Sequence, residues 1–73
     1  MPQTFGDAVR NARTGQSLTQ TTLAAALGDN WSQYKVADLE GGKRPPSIRD
    51  LRDLHACLAL SPEWMVRLVL NDL

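Results

Sequence analysis

Five hydroxyl residues, each standing where a helix would begin, constrain this chain more than any other feature. Thr4, Thr19, Ser32, Ser47 and Ser61 are N-cap residue types, and a helical pattern follows each. After Thr4, with Asp7 as an acidic first-turn residue, Phe5, Val9 and Ala12 form one apolar stripe. Thr14-Gly15-Gln16-Ser17 interrupts it. Thr19 opens an alanine-rich helix that Gly28 ends, and Gly28-Asp29-Asn30 is turn chemistry. Ser32 opens a third helix running to about Glu40, with Val36 and Leu39 inward. Gly41-Gly42 stops it, and Lys43-Arg44-Pro45-Pro46 reads as an extended loop. Ser47 opens a fourth, with Ile48, Leu51, Leu54 and Leu58 on its apolar face and Arg49, Asp50, Arg52 and Asp53 toward water. Ser61-Pro62-Glu63 places proline at the first helical position. The fifth helix carries Trp64, Met65, Val66, Leu68, Val69 and Leu70, apolar on nearly all sides. The pattern predicts one all-α domain of five helices over residues 1–73.

Composition narrows the function classes. At 73 residues the chain is near the lower limit for a domain that folds alone, and 42% apolar content is ordinary for a globular protein. One cysteine builds no disulfide frame, and no Cys/His cluster offers a zinc site, which points to a reducing compartment and no metal or other cofactor. The N-terminus lacks the pattern of a signal peptide, and no run of ~18 apolar residues would span a membrane. Eight basic residues balance eight acidic ones, so bulk charge gives no sign of a nucleic-acid partner.

Catalysis is not expected. His55 and Cys57 lie two apart on a helix, which directs them to different faces and forbids a nucleophile–base pair. Asp50 and Asp53 alternate with arginines as a solvated face would. Gly41-Gly42 ends a helix and follows no strand, so it is no phosphate loop.

The middle of the chain is the informative part. Two short helices joined by a turn, the first closely packed through alanine, have the layout of a helix-turn-helix over about residues 19–41. Ala24, four residues before Gly28, lets the second helix approach the first. The stretch Leu18-Thr19-Gln20-Thr21-Thr22-Leu23-Ala24-Ala25-Ala26-Leu27-Gly28, with Val36-Ala37-Asp38-Leu39-Glu40-Gly41-Gly42-Lys43-Arg44-Pro45-Pro46-Ser47, resembles the Cro/C1-type (XRE) helix-turn-helix family of phage and bacterial repressors. The block Leu39 to Pro46 is its most specific piece, and Leu60-Ser61-Pro62-Glu63-Trp64-Met65 looks like the start of the family's fifth helix. The resemblance runs over roughly residues 5 to 66.

That resemblance implies a compact five-helix fold of the lambda-repressor type, sequence-specific binding to double-stranded DNA and a symmetric dimer on a pseudo-palindromic operator. By position it assigns base contacts to Gln33, Tyr34, Lys35 and Asp38, where glutamine suits adenine and lysine suits guanine. It assigns phosphate contacts to Thr19, Gln20, Ser32, Lys43 and Arg44. Arg13 and Glu40 match a structural ion pair between the first and third helices. Two departures stand out. The turn before Val36 is roughly two residues longer than the family's usual one, which shifts the start of the recognition helix. Ser17 replaces the glycine often found before the second helix. Trp31, in the longer turn, is either a lid packed over the second helix or a DNA contact.

The apolar excess of the fifth helix, about residues 62–71, is read as packing on the domain through Trp64 and Leu68 and as a dimer interface through Met65, Val66, Val69, Leu70 and Leu73. The expectation is a cytoplasmic bacterial or phage repressor with no small-molecule ligand. Its rivals are an antitoxin-like or accessory module gripping a protein through the apolar C-terminal helix, and a relic helix-turn-helix serving protein interaction alone. Divided along the chain, the neutral charge leaves a small basic excess on residues 31–46, Lys35, Lys43 and Arg44 against Asp38 and Glu40. A weak monomer that depends on dimerisation follows from it.

Overall fold

Each of the five hydroxyls accepts the backbone N–H three residues ahead of it: Asp7 on Thr4 at 3.1 Å, Thr22 on Thr19 at 3.0 Å, Lys35 on Ser32 at 3.2 Å, Asp50 on Ser47 at 3.1 Å and Trp64 on Ser61 at 3.4 Å. At Thr4 and Ser47 the acid three residues on also reaches back to the cap's own N–H, closing a capping box. In a computed structural model that describes residues 3–72, these caps open helices α1 (Phe5–Gly15), α2 (Gln20–Leu27), α3 (Gln33–Glu40), α4 (Ile48–Leu58) and α5 (Pro62–Asn71). The described residues contain no strand, and the all-α, five-helix expectation holds.

The helices are too short to be stable singly and are held by one shared core. Val9, Leu23, Val36, Leu39, Leu54 and Met65 are its most deeply buried large side chains, contributed by all five helices. α1 and α2 both pack on α3, α4 packs on α2 and α5, and α5 closes against α1. Where α1 crosses the end of α3, Gly6 permits the approach, because a Cβ there would stand 2.3 Å from the Glu40 carbonyl oxygen.

Three expectations about facing are corrected. Ile48 is 81% exposed, because it stands at the first position of α4, beyond the core that Leu51 begins. Asp50 is only 5% exposed, since its cap bond to Ser47 turns its carboxylate toward α3 rather than toward water. Trp64 stays 38% exposed on the first turn of α5, and Met65 with Leu68 packs inward instead.

Candidate nucleic-acid interface

α2 and α3 are set against each other by small residues and a left-handed turn. Ala24 is buried at their contact, and Gly28 ends α2 at φ 117°, a conformation that side chains rarely adopt. The lengthened turn then carries Trp31 into the core, 7% exposed. Trp31 precedes the Ser32 cap and Val36 is four residues beyond it, the two positions of a hydrophobic staple, and both are buried. The packed reading of Trp31 therefore replaces the DNA-contact one. With Val36 and Leu39 each 1% exposed, the outward side of α3 begins at its first turn, where Gln33 and Tyr34 are exposed, Tyr34 to 77%.

Lys35 is placed differently from its neighbours. Its ammonium lies 2.8 Å from the Asp50 carboxylate and 4.2 Å from the centre of the Trp31 ring. The Trp31 indole N–H in turn donates to Asp53 at 2.9 Å. Asp50 and Asp53, one turn apart on α4, thus grip the beginning of α3. Burial pushes the Asp50 carboxyl up, but the hydrogen bonds from Lys35 and Ser47 and the Lys35 charge outweigh it and hold the group below its ordinary range. The spacing of these acids was visible in the sequence; their partners, supplied by the turn and by α3, were not. Asp38, half-buried later on α3, faces Arg44 at 3.9 Å.

A second polar cluster joins α1, α2 and α3 at Glu40, whose side chain is fully buried. Arg13 grips the carboxylate through Nε at 2.7 Å and Nη2 at 3.0 Å, and donates a third bond to the Leu18 carbonyl at 2.9 Å. Arg10 adds a contact at 3.3 Å, unassigned from sequence although it lies one turn before Arg13. Gln20 also donates to Glu40 at 3.3 Å, so its amide is turned inward rather than held out for a phosphate. Burial raises the Glu40 carboxyl, yet the hydrogen bonds from Arg13, Gln20 and Arg10 with the Arg13 charge bring its net pKa below the ordinary value. The same contact raises that of Arg13.

Thr19 and Ser32 are exposed, with their hydroxyls on the first turns of α2 and α3. Lys43 and Arg44 are exposed on the loop after α3, which Gly42 turns at φ 74° and the bond from Lys43 N–H to the Asp38 carbonyl pins at 2.9 Å. On the far side, Val66 and Leu70 of α5 are exposed and Val69 is half-buried. Met65, expected at an interface, is completely buried because it supplies α5's main core contact, while Leu73 lies outside the described residues. His55 and Cys57 are engaged separately, with the carbonyls of Leu60 and Ala26. Among the described residues no group of three or more His, Cys, Asp or Glu could hold a metal, and no helix is long and apolar enough to cross a membrane.

A helix capped by Thr19, a glycine turn and a second helix offering its polar first turn to solvent, braced by three further helices, define a helix-turn-helix domain of the DNA-binding regulator class. Comparison with known families agrees: a family model described as a helix-turn-helix domain matches residues 4–68. The chain belongs to that helix-turn-helix family. No curated protein and no solved structure gives a significant match.

Proposed function

We propose that the protein is a sequence-specific transcriptional repressor of the Cro/C1 type, without catalytic activity, that occupies a pseudo-palindromic operator as a homodimer in the bacterial cytoplasm. The observation that carries this reading is the exposed first turn of α3, Gln33 and Tyr34, flanked by the exposed cations Lys43 and Arg44 of the following loop. Gln33 and Tyr34 reach base edges, while Lys43 and Arg44 with the first turns of α2 and α3, at Thr19 and Ser32, meet phosphates. Gln20 serves that contact indirectly, by fixing the start of α2 to Glu40. Val66 and Leu70, with the edge of Val69, form the self-complementary contact that sets two recognition helices ~34 Å apart, one turn of the duplex.

Selection of bound sequences from a random duplex pool, followed by titration across salt, tests the reading. If Lys43 and Arg44 of each protomer neutralise one phosphate apiece, a dimer covers about four and log K falls with log salt at a slope of about −4. Lys43→Ala lowers that slope by about 2 without altering the selected site. A wild-type protein that enriches no sequence at low salt refutes the function. The exposed Val66 and Leu70 also favour a second reading, an accessory module that grips a different protein; a stable heteromer in place of a two-fold dimer would establish it.

A further inference from the structure

The recognition helix carries one cation, Lys35, and the structure withdraws it from the groove-facing surface. Its ammonium is held at 2.8 Å by Asp50 and lies over the Trp31 ring, 4.2 Å from its centre, and its side chain retains 20% of its exposure. Extending it toward a guanine would leave the 5%-exposed Asp50 carboxylate with only the Ser47 backbone N–H and would uncover the ring. The turn that supplies Trp31 is itself tied to α4 through Asp53, so the strut is braced at both ends. Asp38, the acid further along α3, faces Arg44. What remains toward the groove is Gln33 and Tyr34, neither of which has a side-chain hydrogen-bond partner among the described residues.

We infer that Lys35 is a positioning residue that sets the angle of α3 on α4, and that the half-site is specified at an A·T step rather than at a guanine: Gln33 pairs with adenine N6 and N7, and the Tyr34 ring lies against a thymine methyl. This rests on the DNA-binding reading above and names the class of sequence that the same surface takes. The bidentate amide–adenine pair has the geometry that a glutamine at a helix start can form in the major groove, and an aromatic face is the apolar surface that a thymine methyl prefers.

The test uses the intact chain with the operator that it selects from a random pool. Replacing the half-site adenine by 7-deazaadenine removes N7, one of the pair's two bonds, and weakens wild-type binding about 2- to 13-fold, the range of a single hydrogen bond. Substituting 7-deazaguanine for any guanine under α3 leaves binding unchanged. Gln33→Ala abolishes the preference for adenine at that position alone. Lys35→Met, which keeps a long unbranched side chain and removes the charge, lowers affinity for all sequences alike and leaves the base preference at every position as in wild type. Circular-dichroism melting establishes that the variant is folded, and the base-analogue measurements stand on wild-type protein should it not be. A selected guanine under α3 whose N7 is required, or a base preference that Lys35→Met erases, overturns the inference and leaves the DNA-binding reading intact. Failure of the wild type to enrich any sequence overturns both.

Discussion

Replacing Glu40 by glutamine removes one charge with almost no change in volume, at the point where three helices meet. The carboxylate accepts two bonds from Arg13, one from Arg10 and one from Gln20, and none of its side chain reaches solvent. A carboxamide keeps one acceptor and turns an N–H₂ group toward the Arg13 fork, so one charge-assisted bond becomes a donor–donor contact, the remaining arginine bonds fall from ion–ion to ion–dipole, and the Gln20 bond becomes neutral. Charge-assisted bonds are worth about 1.5–3 kcal/mol each, and breaking a buried pair costs about 3–5 kcal/mol. Arg13 keeps 12% exposure and Arg10 52%, so water recovers part of this and we expect about 2–3 kcal/mol. In a domain of 73 residues that is a large share of a total of roughly 4–11 kcal/mol, and it lowers Tm by roughly 8–24 °C. The assay is thermal melting by circular dichroism of both proteins between pH 7 and pH 2. Because the folded pKa of Glu40 lies below its unfolded value, its contribution is fully present above the unfolded pKa of about 4.3 and is lost as pH falls through the lower, folded one. The gap between wild type and Glu40→Gln is therefore constant from pH 7 to about 5 and narrows only in stronger acid. A gap at pH 7 below about 3 °C, or one that closes already between pH 7 and 5, refutes this account of Glu40.

Ser17 adopts φ 59°, so Ser17→Gly relieves about 1–2 kcal/mol of left-handed strain against about 0.5–1 kcal/mol of extra chain entropy, a net gain of about 0.75 kcal/mol at the middle of both ranges, and Tm rises by roughly 3–6 °C in a melt. Gly6→Ala drives a methyl into the Glu40 and Leu39 carbonyls, backbone atoms that do not yield, and costs about 3 kcal/mol or more, read as a fall in the urea midpoint. Trp31→Phe removes the donor to Asp53 and part of a core ring, costs about 1–3 kcal/mol in the same titration, and leaves a red-shifted emission from the more exposed Trp64.

What could be read from the sequence was whatever is decided within a few residues. The five caps, the glycine stop at Gly28 and the inward pair Val36 and Leu39 are local matters of hydrogen bonding and helical period, and they stand in the structure where the pattern put them. Facing failed where the period carries no information. α5 is apolar on several sides, so nothing in its spacing chose Met65 over Trp64 as the buried anchor. Ile48 keeps the period of α4, but its place at the helix end leaves it without neighbours. Asp50 and Asp53 read as a solvated face because the groups that bury and bind them, Lys35 and Trp31, come from 15 and 22 residues away in the chain. The candidate interface divides in the same way. Gln33 and Tyr34 follow from the register of α3, whereas the inward turn of Lys35 and Gln20 depends on acids that only folding brings near.

The neutral charge of the chain takes on a different meaning once each charge has a place. Acids serve the fold: Asp7 and Asp50 close capping boxes, Asp72 accepts the N–H of Phe5 at 3.2 Å, Asp53 holds the Trp31 indole, and Glu40 joins three helices. Three of these carboxylates, on Asp7, Asp50 and Asp72, lie at helix N-termini, where they offset backbone dipoles as well as cations. The bases divide into two groups. Arg10, Arg13 and Lys35 are matched to those acids, whereas Lys43, Arg49, Arg52 and Arg67 form no ion pair among the described residues, and Arg44 meets Asp38 only at 3.9 Å. Lys43 and Arg44 follow α3 directly, and Arg49 is exposed on the turn of α4 whose Asp50 grips Lys35. A sum of zero therefore conceals a separation, with much of the negative charge turned into caps and internal pairs and Lys43, Arg44 and Arg49 left exposed beside α3. If α3 reads DNA as proposed, the few phosphate contacts within reach of one protomer call for a second copy, or for base contacts of good geometry, to hold DNA at physiological salt.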